Sequence, residues 1–357
     1  MPTPVVIALD AMGGDRGPEA VVGGADLCLA RHRDIRFLFV GDGARVRPLL
    51  AQYPALAANS DIDHTELAVR MDDKPSEALR RGRWKSSMWR AVEAVKTGRA
   101  EFAVSGGNTG ALMAMAKVCL KTMPGIERPA IAAIWPTVKA ECLVLDVGAT
   151  VMANASQLIK FAFLGAAMAR ALRRMDRPSV ALLNIGTEEV KGLEAIKEAH
   201  AQLRAMQLPF DYQGFVEADR IGHDAADVVV TDGFTGNVAI KTAEGTAKQV
   251  GAYLRAAMEQ SLLSQLGGFI AQDAFRVLKA KMDPRRSNGG VFLGLNGLVI
   301  KSHGGADATG YASAIDLGYD MARAGLVART RQDLGAAIAS AANGAAPLQQ
   351  AIDDSSG

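Results

Sequence analysis

The chain has 357 residues, 49% hydrophobic and 22% charged, an ordinary globular composition that excludes a disordered, collagenous or disulfide-scaffold protein. Its 40 Lys and Arg against 38 Asp and Glu leave a formal charge of +2, too balanced for a chain whose main partner is a nucleic acid held through many phosphates. Cys28, Cys119 and Cys142 are far apart with no CxxC spacing, which excludes a thiolate zinc site and favours a reducing cytosol.

The opening MPTPVVIALDAMGG has no basic block followed by an apolar one, and no window reaches the roughly 18 uninterrupted apolar residues of a spanning helix. A chain neither exported by a signal peptide nor membrane-spanning is expected. Short β-branched runs end at Gly, Asp or Asn and give way to Ala/Leu/Met/Arg-rich stretches of helical length, the alternation of βα units around a mostly parallel sheet. In chain order this predicts strands over 5–10, 36–41, 64–69, 102–106, 130–135, 142–148, 180–186, 212–216 and 227–233. Helices are expected over 18–30, 76–97, 109–121, 156–174, 188–206 and 307–343, with Pro18 entering the first of them. From 235 to 282 strand signal is nearly lost, and SLLSQLGGFIA reads as an apolar turn between two helices. One α/β domain over 1–342 follows, carrying a helical hairpin at about 244–283, with 343–357 a small, polar, frayed tail.

Several chemistries can be struck out by inspection. There is no GxSxG elbow, no Gly-Lys pair for a phosphate loop, no HxxxxD and no zinc-spaced histidines. Gly41-Asp42-Gly43 follows a strand, but Val46 stands at the third glycine position, so the dinucleotide fingerprint fails. What remains is a set of strand-end clusters: ALDAMGGD, VSGGNTGA, LDVGAT, NIGTEEVKG and TDGFTGN. Glycines let backbone N–H groups approach an anion, and ligands of open α/β sheets bind outside the carboxyl ends of strands. One shared anionic site is therefore expected. Its candidate phosphate- and substrate-binding residues are Asp10, Gly13, Gly14 and Asp15, then Ser105, Gly106, Gly107, Asn108 and Thr109. Asp146, Gly186, Thr187, Asp232, Gly233, Thr235 and Gly236 complete the set.

IALDAMGGDRGPEAVVGGA, KSSMWRAVEAVKTGRAEFAVSGGNTGALM, RPAIAAIWPT, LVLDVGAT, LLNIGTEEVKG, DVVVTDGFTGNVAIKTAEG and GGVFLGLNGLVIKSHG follow in order from residue 5 to about 335. This succession resembles the bacterial phosphate acyltransferases of the PlsX family. The resemblance implies a three-layer α/β/α sandwich related to isocitrate dehydrogenase and phosphate acetyltransferase. It also implies a homodimer that converts long-chain acyl-[acyl-carrier-protein] and inorganic phosphate to acyl phosphate for phospholipid synthesis. A membrane glycerol-phosphate acyltransferase would consume the product. In similar enzymes the residues matching Lys191 and Asn237 are catalytic candidates.

That chemistry agrees with the residues present. Phosphate is itself the nucleophile, so no serine or cysteine intermediate is needed, and the work is positioning and charge stabilisation. Lys191, expected in the first turn of the helix after NIG, supplies a positive charge at such a place. No cofactor or metal is called for: Asp10 and Asp15 more simply orient loop N–H groups. The chain departs from the family pattern at Phe215, where Asn is usual, at Thr150 for Asn and at Gly106 for Ala.

Arg80, Arg81, Arg83, Lys85 and Arg90 form an acid-free run that suits docking of an acidic carrier protein or holding of phosphate. Leu262, Leu263, Leu266, Phe269 and Ile270 cluster around Gly267-Gly268, and from 255 to 286 the basic residues Arg255, Arg276, Lys279, Lys281, Arg285 and Arg286 outnumber the acidic Glu259, Asp273 and Asp283. A reversible contact with an anionic inner leaflet is expected there, placing a cytoplasmic protein at the membrane face. A short-chain acyl-CoA phosphate acetyltransferase, a dehydrogenase of the related fold and a non-catalytic membrane scaffold are the competing readings.

Overall fold

The computed structural model describes residues 4–281, 283, 285 and 288–342; the expected tail at 343–357 lies outside them. From the start, β1 (Val5–Asp10), α1 (Gly17–Arg31), β2 (Ile35–Gly41), α2 (Gly43–Leu50), α3 (Pro54–Ala58), β3 (Ser60–His64), α4 (Pro75–Gly82), α5 (Ser87–Lys96), β4 (Phe102–Ser105) and α6 (Thr109–Leu120) form the first half. Next come β5 (Ala130–Pro136), β6 (Glu141–Leu145), α7 (Ala155–Arg173), β7 (Ser179–Leu183), α8 (Glu194–Ala205), β8 (Asp211–Val216) and β9 (Val228–Val230). Three consecutive helices follow, α9 (Gly233–Glu259), α10 (Leu262–Ile270) and α11 (Gln272–Lys281), then β10 (Gly290–Leu293), β11 (Leu298–Lys301), α12 (Ala308–Arg323) and α13 (Leu326–Ala342).

All strands among the described residues join one 11-stranded sheet in the order β3-β2-β1-β4-β11-β10-β5-β6-β9-β7-β8. Buried clusters lie on both of its faces, giving three layers. On one face α1 packs on α12 so closely that a Cβ at Gly24 would stand 2.9 Å from that of Tyr311. On the other, α4, α5 and α6 cover β1, β2 and β4.

The sheet changes direction at its centre. β3, β2, β1, β4 and β11 run parallel; β11/β10, β10/β5 and β5/β6 are antiparallel; β6, β9, β7 and β8 run parallel again. Three successive reversals leave the two parallel halves with opposite polarity.

Several expectations need correction. The predicted strand over 64–69 is displaced: β3 ends at His64, after which Thr65 donates to the Lys85 carbonyl and Leu67 accepts from Ser87 N at 2.9 Å. That stretch leaves the sheet to meet the start of α5. The helix over 76–97 is two helices, broken where Trp84 takes φ +62° and Ser86 caps α5 by accepting from Trp89 N at 3.2 Å. The helix over 188–206 starts only at Glu194, and the one over 307–343 is interrupted at Gly325, φ +66°. Finally, Gly267-Gly268 lies inside α10 rather than at a turn, so the apolar stretch is itself a helix between α9 and α11.

Candidate functional site

Opposite polarity divides the strand-end clusters into two groups, where the sequence predicts one. ALDAMGGD and VSGGNTGA leave the carboxyl ends of β1 and β4, beside β11. LDVGAT, TDGFTGN and NIGTEEVKG leave those of β6, β9 and β7, which point the other way. The link between the groups is α9. Its 27 residues begin at the end of β9, and by Lys241 it has reached His303, past the end of β11, with Lys241 Nζ 3.2 Å from His303 Nε2.

In the β6–β9–β7 group, Asp146 organises the loop after β6. Its fully buried carboxylate accepts from the backbone of Ile131, Gly148, Ala149 and Thr150 and from the Thr150 hydroxyl at 2.8 Å. Those contacts give Asp146 a positioning role, not one facing a ligand. Thr150 Oγ1 in turn accepts from Gly233 N at 3.2 Å, and a Cβ at Gly236 would meet the Asp146 carbonyl at 2.0 Å, so the first turn of α9 sits tightly on this loop. Asp232 caps α9 by accepting from Thr235 N and its hydroxyl, both at 2.9 Å. The Phe234 N–H, in the same turn, has no partner among the described residues. Asn237 is exposed beside Gly148, its Oδ1 3.9 Å from where a Cβ there would stand.

Lys191 sits not in a helix but in the loop between β7 and α8. Asn184, at the end of β7, donates from Nδ2 to the carbonyls of Gly186 and Lys191, each at 3.1 Å, and so fixes both ends of the turn. Thr187 lies exposed within it. Lys191 Nζ reaches Glu188 Oε1 at 2.8 Å; this hydrogen bond, then the carboxylate's charge, raises the lysine pKa, and the same bond lowers that of Glu188. The loops after β6 and β7 and the first turn of α9 carry exposed apolar side chains: Val151 (72% exposed), Met152 (84%), Ile185 (78%), Val190 (84%) and Phe234 (65%). Sequence patterning alone did not single these out, because loop hydrophobes carry no period.

In the β1–β4–β11 group, burial raises the Asp10 pKa, opposed by the Ser105 hydroxyl, which donates at 2.6 Å. Gly14, at φ +96°, packs against the Gly304 carbonyl, to which Asp15 N donates at 2.8 Å. Gly13 and Gly107 approach backbone to backbone, since a Cβ on Gly13 would lie 2.8 Å from Gly107 N. Gly106 O accepts from Lys301 Nζ at 3.2 Å. Asn108 caps α6 through Ala111 N at 3.0 Å, with Thr109 the first helical residue. Lys301 was missed as a site residue: it is the last residue of a strand only four residues long, and its partial burial is visible only in the fold.

The basic run divides too. Arg90 is bound to Asp63 and donates to the His64 carbonyl at 2.7 Å, and Arg81 pairs with Asp73. Arg80, Arg83 and Lys85 are exposed, Arg83 lying 4.1 Å over the Trp84 ring. Phe215 stacks on His200 of α8 at 4.3 Å, which occupies its ring with packing. In α10 no residue is buried, and Leu262, Leu263, Leu266, Phe269 and Ile270 are all exposed. No described helix is long and apolar enough to cross a membrane.

Residues 5–329 match the family model described as "Fatty acid synthesis protein". The chain is 61% identical over 334 residues to the phosphate acyltransferase of Xanthobacter autotrophicus, covering 94% of each, and 58% identical to that of Azorhizobium caulinodans, covering 98% of this chain and 99% of the other. Among solved structures it resembles the EutD phosphotransacetylase from Staphylococcus aureus, with TM-score 0.56, 17% identity and coverage of 90% and 94%. A phosphotransacetylase from Streptococcus pyogenes gives TM-score 0.53 at 19% identity, with coverage of 94% and 95%. At such identities the structural likeness concerns the fold, the three-layer α/β arrangement described above.

Proposed function

As the chain belongs to the family of fatty acid synthesis proteins, we propose that the loops after β6, β9 and β7 are where it transfers a long-chain acyl group from a carrier-protein thioester to inorganic phosphate. The chain is an acyltransferase of lipid synthesis, its relatives over nearly the whole length being named phosphate acyltransferases. One observation carries the placement: Lys191 on the loop after β7, and Asn237 with the Phe234 N–H at the start of α9 after β9, follow the carboxyl ends of adjacent parallel strands whose loops carry exposed apolar side chains. Exposed apolar clusters mark interaction surfaces, and a long acyl chain ending in a polar thioester needs both features side by side.

In the reaction a phosphate oxygen bonds to the thioester carbonyl carbon, the carbonyl oxygen takes up negative charge, and the carbon–sulfur bond then breaks to release thiolate. The Lys191 ammonium offsets charge on the incoming phosphate. Donors at the N-terminus of α9 and the Asn237 amide face the developing oxyanion, a task suited to fixed dipoles. Asp146, Thr150 and Asn184 hold the loops that present them. The β1–β4 loops, with Asp10, Gly13, Gly14, Asp15 and Ser105 to Thr109, serve the remainder of the donor.

Arg80, Arg83 and Lys85 form the face for the acidic carrier. The α9–α11 projection, with its exposed α10, lies on an anionic membrane, where a homodimer delivers acyl phosphate to the next acyltransferase at the inner face. It belongs to a single catalytic domain over 1–342. The competing short-chain reading is tested together with this one: purified protein, orthophosphate and either long-chain acyl-carrier protein or acetyl-CoA, with acyl phosphate trapped by hydroxylamine. Product from the long-chain donor is expected; product from acetyl-CoA alone would favour a phosphotransacetylase.

A further inference from the structure

Past the carboxyl end of β11 stand three basic side chains that the mechanism above does not use. Lys301 donates to the carbonyls of Gly106, at 3.2 Å, and Ser302, and no carboxylate lies within ion-pair distance of it among the described residues. Burial lowers its pKa to about 8, a shift opposed by the neighbouring charges of Asp10 and Asp15. At neutral pH it is therefore a half-buried ammonium whose hydrogen bonds go to carbonyls.

The contact between His303 and Lys241 is the second observation. Gly305 N lies 3.2 Å from His303 Nδ1, and a neutral imidazole accepts through only one of its two ring nitrogens. Nε2 in turn faces Lys241 Nζ at 3.2 Å. The ring cannot accept from both Gly305 N and Lys241 Nζ, so one of the two contacts sets donor against donor. Glu244 bonds Lys241 at 2.9 Å, and no carboxylate pairs with His303 among the described residues. The opposing carboxylates nearby are Glu244, Asp15 and the buried Asp10, whose own pKa is raised by burial. Lys248 adds further positive charge at His303. Glycine backbone closes in on the other side, where Gly14 and Gly106 leave no room for side chains against Gly304 and Gly13.

We propose that Lys241, His303 and Lys301 form a second phosphoryl-oxyanion site, adjoining the Lys191–Asn237 site along α9, and that it holds the phosphodiester of the pantetheine arm bearing the acyl thioester. The ligand's name rests on the acyl-transfer reading; the oxyanion site does not. The two sites occupy opposite strand polarities of the sheet, and α9 joins them, with Asn237 and Lys241 one turn apart on the helix. Anchored by its phosphate at Lys241, the flexible arm would bend back to present its thioester toward Asn237 one helical turn away, while orthophosphate enters at Lys191. His303, approached by an anion, would hydrogen-bond it from Nε2.

Calorimetric titration of the full chain with 4′-phosphopantetheine, pantetheine and orthophosphate tests this without requiring turnover. Phosphopantetheine should bind at least tenfold more tightly than pantetheine, and Lys241→Met should remove that advantage while Lys191→Ala keeps it. Lys301→Met should act likewise, with Lys301→Arg retaining part of the binding; Lys241, on a half-exposed helix face, covers the case in which the buried variant does not fold. If instead orthophosphate binding is what Lys241→Met loses, the oxyanion site stands and its ligand is free phosphate. Equal binding of phosphopantetheine and pantetheine, together with unaltered orthophosphate binding in Lys241→Met, would overturn the site. Hydroxylamine trapping on the same wild-type sample reports separately on acyl transfer, so failure of the function and failure of this site are distinguishable.

Discussion

Asn184 donates to the carbonyl of Lys191 at 3.1 Å, across the loop that carries the lysine out from β7. The contact is local in space and seven residues apart in sequence, and it is tight: a Cβ on Gly192, at φ +96°, would stand 2.0 Å from Asn184 Oδ1. Asn184→Ala leaves two loop carbonyls without their donor, a loss of about 1–3 kcal/mol of stability where such groups are buried. Turnover should fall roughly tenfold or more, with the KM for phosphate rising, because Lys191 is no longer held. Thermal unfolding with steady-state kinetics checks it; unchanged kinetics in a destabilised variant would confine Asn184 to a folding role.

Lys301 sets a pH dependence of stability. Its pKa in the folded chain, about 8, lies below the ordinary 10.5, so between those values the unfolded chain binds more protons than the folded one. Stability from this group therefore rises with pH through that window, and below about pH 8 the burial cost is fully present. Lys301→Met removes both states of the group. Melting temperatures at pH 7.5 and 9.5 should show a rise in the wild-type chain, relative to the variant, that disappears when the residue is Met; parallel curves would place the lysine in a wetter setting.

The exposed basic residues bear on the donor. Arg81 and Arg90 are engaged with Asp73 and Asp63, which leaves Arg80, Arg83 and Lys85 for a partner. Electrostatic steering weakens as salt shortens the Debye length, about 10 Å at 0.1 M. Changing Arg80, Arg83 and Lys85 to Ser should lower kcat/KM for acyl-carrier protein several-fold at low salt and flatten its salt dependence, leaving acyl-CoA nearly unaffected. Equal sensitivity of both donors would move carrier docking elsewhere.

α10 presents Leu263, 80% exposed, and Phe269, 74% exposed, on a helix with no buried residue. The double substitution Leu263→Glu and Phe269→Glu should abolish cosedimentation with anionic liposomes at modest cost to acyl transfer in solution. Retained liposome binding would show that another surface makes the contact.

Most of the parallel strands were legible because runs such as VVIALD and CLVLDVG are buried on both faces and need no alternation. β10 and β11 were not, each being four residues long and paired over long sequence distances. Candidate residues were readable as strand-end glycine clusters, but their division into two groups was not. Polarity depends on the reversals at β10, β5 and β6, and no local signal in these strands records which neighbour each will take. Lys191 was found by its motif, while its loop setting depends on Asn184 and Gly192. Lys241 and Lys301 went unnoticed because a lysine on a helix or strand is ordinarily a solvated one.

Acyl transfer at Lys191 is tested most directly by trapping acyl phosphate from long-chain acyl-carrier protein and saturating orthophosphate, comparing the wild-type chain with Lys191→Ala and Asn237→Ala. Each substitution should lower turnover by about two orders of magnitude, the scale for loss of one transition-state donor, with unfolding curves unchanged. Near wild-type turnover in Lys191→Ala would contradict the placement of the reaction at the loop after β7.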